Sequence, residues 1–376
     1  MTHTPAASPT SFKQHHPLIE RARAVAALAV KNDSLDRDGA FPHAEVVELR
    51  KLGLLHAPFS AACGGCDLAS PPSDPMLLFD VLSVIGQGSL PLGRLYEGHV
   101  NAVKLVRLYG SAANVALLQA EADAGRLTGV WMAEDAVSLS LAGDAAAPVL
   151  IGRKILASGA GHIQRPLVAA KTAGENQLML PHVPDMGRVD VSAWTATGMK
   201  ATATGSVDFT GISVTPDAIV GRPGDYMRSP YFRGGAWRVM AVQFGGLRAL
   251  LESYRSQLVE SGRDGDRVQR ARFGDAAASV ETARLWVSEA CRRAEDEDGD
   301  PAAIDAYVDL MRGAFERAAL TLVERAEKSL GLKAFMHPNP VERIVRDLTT
   351  YLRQPALDAS LESAGAFFFH QGTEGP

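Results

Sequence analysis

Gly198-Met199-Lys200-Ala201-Thr202-Ala203-Thr204-Gly205-Ser206-Val207-Asp208-Phe209-Thr210-Gly211-Ile212-Ser213-Val214 is the stretch on which the fold turns. Ser206-Val207-Asp208-Phe209 alternates polar and apolar, the period of a half-buried strand, and 207–214 reads as one β run. The same texture reaches back to about Thr128. Val149-Leu150-Ile151 and residues 154–157, 167–171 and 177–180 are short aliphatic or β-branched runs, separated by Gly, Pro and Asp. Short strands with tight turns and no helix between them predict a compact β barrel or sandwich.

Outward from this core the period changes. On the N-terminal side Leu18, Ala22, Val25 and Leu28 recur at three- and four-residue spacing, as do Val46, Val47, Leu49 and Leu52. Residues 76–85 and 92–108 read as two further helices. On the C-terminal side Leu247, Leu250, Leu251, Tyr254 and Leu258 form one stripe, and Val280, Ala283, Val287 and Ala290 a second. Ile304, Val308, Met311, Phe315, Leu322 and Ala326 form a third, along a run of about eight turns. Stripes of that length pack as an antiparallel bundle. The expected class is α+β: an N-terminal helical domain (17–127), a middle β barrel or sandwich domain (128–222) and a C-terminal four-helix bundle domain (234–376).

Composition bounds the function. The 376 residues are 46% apolar and 22% charged, enough to bury a large core, and the net charge of −5 gives no basic footprint for nucleic acid or an anionic membrane. No apolar run approaches the roughly 18 residues of a membrane span. Three cysteines cannot build a disulfide framework. The opening residues lack the apolar core of a signal peptide and read as a frayed tail, so a cytoplasmic location is expected.

Individual motifs are weak. Cys63-Gly64-Gly65-Cys66 lacks the further paired ligands that zinc requires and reads as small residues in a Gly-rich turn. No histidine pair has metal-binding spacing, so no metal is expected. His99 falls on the apolar face of a helix, where a satisfied core histidine is the ordinary reading. The acidic run 295–301 reads as a solvated turn rather than a calcium loop. There is no GxxxxGK[ST], no strand-to-helix GxGxxG and no GxSxG. Ala157-Ser158-Gly159-Ala160-Gly161, at the end of a strand, has backbone N–H groups and one hydroxyl that could meet a flavin or phosphate edge, but by itself reads as an ordinary hairpin.

The order of the motifs is more informative than any one of them. Asp38-Gly39-Ala40-Phe41-Pro42 precedes Leu49-Arg50-Lys51-Leu52-Gly53-Leu54, then Pro58 and Gly64-Gly65. Gly152-Arg153-Lys154 leads to Ala157-Ser158-Gly159. Gly198-Met199-Lys200-Ala201-Thr202 is followed by Val207-Asp208-Phe209 and Val214-Thr215-Pro216, and Pro340-Val341-Glu342-Arg343 by Arg346-Asp347. This ordered set resembles the acyl-CoA dehydrogenase superfamily from about residue 35 to 350. The resemblance implies FAD, with FMN as the alternative, between the β domain and the C-terminal bundle of a homodimer or homotetramer. It puts Met132 and Ala133 in the strand beside the isoalloxazine ring, and Ser158, with Gly159, at the flavin N5 edge. Catalytic candidates are His99, Ser158 and His370.

The departures bear on chemistry. A dehydrogenase of this kind takes the α-proton of an acyl thioester with a Glu. The family's usual Glu position falls in Tyr351-Leu352-Arg353-Gln354-Pro355-Ala356, and the other known position in Gly234-Gly235-Ala236-Trp237-Arg238; neither contains an acid. Glu342 and Asp347 match structural positions of the family. Ala133-Glu134-Asp135-Ala136-Val137 replaces the loop that helps hold CoA and flavin phosphates. Arg270-Ala271-Arg272-Phe273-Gly274 looks like the family's contact to a neighbouring FAD, but lies too close to Glu281-Thr282-Ala283-Arg284; Gly262 is the better match. The expected function is flavin-dependent CH–CH oxidation of an acyl-CoA or acyl-carrier thioester without the usual Glu, passing electrons to an acceptor. The alternatives are a two-component monooxygenase fed by a flavin reductase, which the Pro-containing tail and Gln243-Phe244-Gly245-Gly246 favour, and a non-catalytic binding or scaffold member.

Overall fold

Prolines and short polar caps set most of the helix starts. The computed structural model describes residues 16–69, 74–143, 148–353 and 356–371; the N-terminal tail and Gln354-Pro355 lie outside them. Five helices come first: α1 (Pro17–Val30), α2 (His43–Lys51), α3 (Pro75–Gly88), α4 (Leu90–Tyr109) and α5 (Ala112–Asp123). Ser89 caps α4 by accepting the Leu92 N–H, and Ser111 and Asn114 form a reciprocal capping box on α5.

Nine short strands follow: β1 (Val130–Trp131), β2 (Ser140–Ala142), β3 (Val149–Ile151), β4 (Arg153–Ala157), β5 (Leu167–Thr172), β6 (Glu175–Met179), β7 (Val189–Asp190), β8 (Gly205–Asp208) and β9 (Ile219–Val220). One sheet runs β3-β2-β5-β6-β9, with β1 also on β5; the other runs β4-β8-β7. These are two open sheets rather than a closed barrel. The expected run 207–214 is not one strand either. β8 stops at Asp208, whose carboxylate accepts the Thr210 N–H at 2.9 Å and turns the chain.

The one-turn helix α6 (Tyr231–Gly234) leads into α7 (Ala236–Glu260), α8 (Arg267–Ala294) and α9 (Pro301–Leu330), then α10 (Pro340–Tyr351) and α11 (Leu357–Gln371). The stripes foreseen on α7, α8 and α9 are buried, with Leu251 half-buried at the edge of the first. Where α7 crosses α3, the helices touch backbone to backbone. A Cβ on Gly245 would stand 2.1 Å from the Ser83 carbonyl, and one on Gly86 2.2 Å from that of Val242. The Ser83 hydroxyl lies 3.1 Å from the Ala241 carbonyl across this seam. Gly245 therefore serves helix packing.

α10 fastens three parts of the chain together. The Arg346 guanidinium donates to Asp36 at 2.7 Å, to Glu342 at 2.9 Å and to the Thr197 carbonyl at 2.8 Å. Asp347, buried beside it, accepts the Met199 N–H. A Cβ on Gly198 would lie 2.1 Å from the Arg346 carbonyl, so only glycine permits the approach. Glu342 and Asp347 thus have structural partners.

Gly245→Ala is expected to cost about 1–3 kcal/mol, because the clash is with backbone that cannot turn away. Gly274→Ala, on an open face of α8 with nothing within 4 Å, should gain roughly 0.5–1 kcal/mol from helix propensity. Urea unfolding of the two variants checks both signs.

Candidate functional site

β4 ends in a bulge, its register against β8 shifting between Lys154 and Ala157. The bulge holds Leu156 at φ +51 with 59% of its surface exposed. A left-handed, outward-facing leucine costs on the order of 1 kcal/mol, and such strain gathers at ligand sites. Ser158 follows, half-buried. Its carbonyl accepts the Trp131 indole N–H at 2.9 Å, and its hydroxyl ends a chain of hydroxyls, 3.4 Å from Thr204, which is 2.7 Å from Thr202.

The turn is less open than its glycines suggest. The Gly159 N–H is bound to the Thr202 carbonyl at 2.7 Å, and that of Ala160 to the Ala203 carbonyl at 3.0 Å. These two donors are therefore committed, which corrects the expectation of a free backbone platform. The Ser158 hydroxyl remains as the side-chain group it can present. Gly159 sits at φ +78 against Ile163 and Leu95, so the turn rests directly on α4.

Met132 and Ala133 extend β1, half-buried, and are held from below by a cation. The fully buried Lys154 donates to the Met132 carbonyl at 3.3 Å and to Glu134 at 2.6 Å. Burial lowers the Lys154 pKa, with Glu134 opposing the shift. Lys154 thus fixes the edge of β1, a role the sequence marked only as part of a motif. Ala133 accepts the Ile155 N–H, so the ends of β1 and β4 lie side by side and bring Met132, Ala133, Leu156 and Ser158 to one edge.

His99 is elsewhere. It is fully buried on α4, its Nε2 2.8 Å from the Leu55 carbonyl and its Nδ1 accepting the Thr128 N–H at 3.2 Å. Both nitrogens are used, and burial lowers its pKa to about 4. It is a neutral core pin. His370 is exposed on α11, which packs along α9 through Leu361 against Gly313. Phe273 turns inward onto Tyr254, with ring centroids 5.5 Å apart, and Gly262 lies at φ +66 in the turn between α7 and α8. Cys63 and Cys66 are free thiols in a turn after Ser60.

The acidic run 295–301 is the solvated turn expected at Asp296, Glu297, Asp298 and Asp300, but not at its first residue. Glu295 is buried and accepts from Arg238 at 2.7 Å, from the Trp237 indole at 3.0 Å and from Lys104. Burial would raise its pKa, but the two cations hold it below the ordinary value. Arg238 also contacts Asn101, which contacts Glu97, which pairs with Arg94 at 2.8 Å. Arg94 in turn lies within electrostatic reach of the Tyr351 hydroxyl, and Gln243 donates to the Tyr351 carbonyl at 2.8 Å. A polar network therefore crosses the interior from α10 through α4 and α7 to the end of α8. Sequence reasoning missed it because the α4 charges read as a solvated helix face until α7 and the end of α8 are packed against them.

Residues 248–354 match the family model described as acyl-CoA dehydrogenase, C-terminal domain. No curated protein matches the chain by sequence. Among solved structures, TdsC, a dibenzothiophene monooxygenase from Paenibacillus sp. A11-2 seen in complex with FMN and indole, superposes with a TM-score of 0.82 at 20% identity, over 95% of this chain and 98% of its own. Butyryl-CoA dehydrogenase from Megasphaera elsdenii gives 0.81 at 16% identity, over 98% and 100%. KijD3, in complex with FMN and a dTDP-linked amino-keto sugar, gives 0.81 at 18%, over 99% and 96%. The fold is that of the acyl-CoA dehydrogenases, as the ordered motifs implied. Among the described residues no helix is long and apolar enough to cross a membrane.

The histidine pin predicts a pH effect. Below about pH 6.5 the unfolded chain protonates His99, while the folded chain does so only near pH 4. The stability it contributes is full above pH 6.5 and lost as pH falls towards 4, about 2–3 kcal/mol by pH 4.5. The stability gap between wild type and His99→Gln should shift by that amount between pH 7 and 4.5 in urea titrations.

Proposed function

We propose that this acyl-CoA dehydrogenase fold houses a flavin-dependent oxidoreductase working as a two-component monooxygenase. It would act in the cytoplasm as a homodimer or homotetramer on a small molecule, with a separate flavin reductase. One observation carries the reading. The edge formed by Met132, Ala133, Leu156 and Ser158 presents an apolar platform and a hydroxyl, while the acids on adjoining elements, Glu134 and Glu97, are tied to Lys154 and Arg94.

A flat ring with polar edges suits that edge. The Leu156 side chain would cover the ring face, the Ser158 hydroxyl would donate to its edge, and the backbone at Met132 and Ala133 would run alongside, with Gly159 keeping the turn tight against α4. FMN or FAD, reduced, would supply electrons for activating dioxygen. Lys154 acts as a positioning residue, fixing the strand edge from beneath. The Thr202–Thr204–Ser158 hydroxyl chain sets the direction of the Ser158 proton.

The second reading is oxidation of an acyl-CoA or acyl-carrier thioester, supported by the C-terminal family match and by the likeness to butyryl-CoA dehydrogenase. It requires a proton acceptor, and Glu97 and Glu134 are both engaged by cations.

Titration with FMN and FAD, followed by quenching of flavin fluorescence, should show binding, weakened roughly 3- to 10-fold in Ser158→Ala by the loss of one hydrogen bond. An unchanged affinity removes Ser158 from the site. Butyryl-CoA added under argon is expected to leave bound flavin oxidised. Bleaching would transfer the assignment to the thioester reading, and failure to bind either flavin would leave a binding or scaffold role.

A further inference from the structure

Three cations share two carboxylates in the polar network of α4 and α7. Glu295 lies between Lys104 and Arg238, and Glu97 pairs with Arg94. With both acids ionised and Lys104 protonated the set carries one excess positive charge; burial pushes the Glu97 pKa up, which works towards a larger excess, and that of Lys104 down, which works against it. The tyrosines in reach, Tyr226 and Tyr351, remain neutral, since burial raises the pKa of each. The side chains of Arg238 and Glu295 are each 5% exposed, that of Lys104 is 12% and that of Glu97 is 0%. Arg94, at 28%, is the outlet of the network. Holding an unbalanced charge away from water is costly unless a counter-charge arrives.

Arg94 is built to receive one. It follows Gly93, which packs against Val242 of α7, and precedes Leu95, which touches the Ser158-Gly159 turn. Arg94 therefore belongs to the same turn of α4 on which the Ser158-Gly159 turn rests. Glu97 holds it by a 2.8 Å hydrogen bond, and Tyr351 and Tyr226 lie within electrostatic reach of the ion pair. A guanidinium anchored in this way offers its remaining N–H groups as a fork that matches a carboxylate.

We propose that Arg94 is the recognition cation of the substrate pocket, and that the substrate is a small organic acid whose carboxylate completes the charge balance of the Arg94–Glu97–Arg238–Glu295–Lys104 network. That the anion is the substrate rests on the oxidoreductase reading; the anion site itself does not.

The test uses the full-length chain without flavin, so its result is independent of cofactor binding. Calorimetric titration with benzoate and with its neutral counterpart benzamide should show benzoate at least tenfold tighter. Arg94→Gln should abolish the preference and Arg94→Lys keep part of it. Glu97→Gln removes a negative charge and should tighten benzoate several-fold. If Arg94→Gln fails to fold with Glu97 left unpaired, Arg94→Gln/Glu97→Gln removes the pair together and should fold without the preference. Equal affinity for the two probes, or a preference that survives in the Arg94 variants, overturns the proposal. FMN and riboflavin titrations separate the other source of an anion: a loss of FMN but not riboflavin binding in Arg94→Gln would give the guanidinium to the cofactor phosphate and also overturn it.

Discussion

The grip of α10 on the loop at 197–203 is the contact from which the rest of the site follows. Arg346 ties Asp36 and the Thr197 carbonyl to one helix, and Asp347 takes the Met199 N–H. That loop in turn supplies the carbonyls of Thr202 and Ala203 that close the Ser158 turn. The position of one half-buried hydroxyl is therefore set by residues about 190 positions further along the chain. Burial raises the Asp347 pKa to about 6, against the Met199 N–H and the nearby arginines. The folded chain thus takes up this proton before the unfolded one does, and from about pH 4 to 6 this carboxyl makes the fold less stable as pH rises. Its sign is opposite to that of the buried imidazole at His99.

α4 is the second organiser. Its Leu95 supports the Ser158 turn, its His99 joins the Leu55 carbonyl to the Thr128 N–H, and its Arg94, Glu97, Asn101 and Lys104 form one side of the polar network. These charges recur at three- and four-residue spacing, so they share a face that a sequence reader would assign to water. What buries them is α7, whose Val242 packs on Gly93 of α4 while Gly86 and Gly245 seat α7 on α3. A backbone crossing this tight leaves no room for long side chains at the seam and directs the polar ones to its flank.

How much was legible follows from range. The buried stripes of α7, α8 and α9 and the short strands were readable because both are local periods. The order of motifs gave the fold because turns such as Gly198-Met199 and helix starts such as Pro340-Val341 are local too. Within the candidate site, a local shape such as the Ser158-Gly159 turn was legible from its motif. What rests on a distant partner was not. Glu295 reads as part of an acidic loop until Lys104 and Arg238 are brought to it, and the N–H groups of Gly159 and Ala160 read as free until residues 202–203 arrive. His99 shows the converse, since an apolar helix face suffices to identify a core histidine but not its two partners.

Because the Ser158 turn closes on the chain's own carbonyls, its geometry exists before any ligand arrives. A molecule docking there has little loop entropy to remove, so affinity would be set mainly by contact quality and by the water it displaces. Loosening the turn from behind, at Thr202 or Met199, would then show itself as a shorter residence time for the bound molecule, with the rate of encounter nearly unchanged.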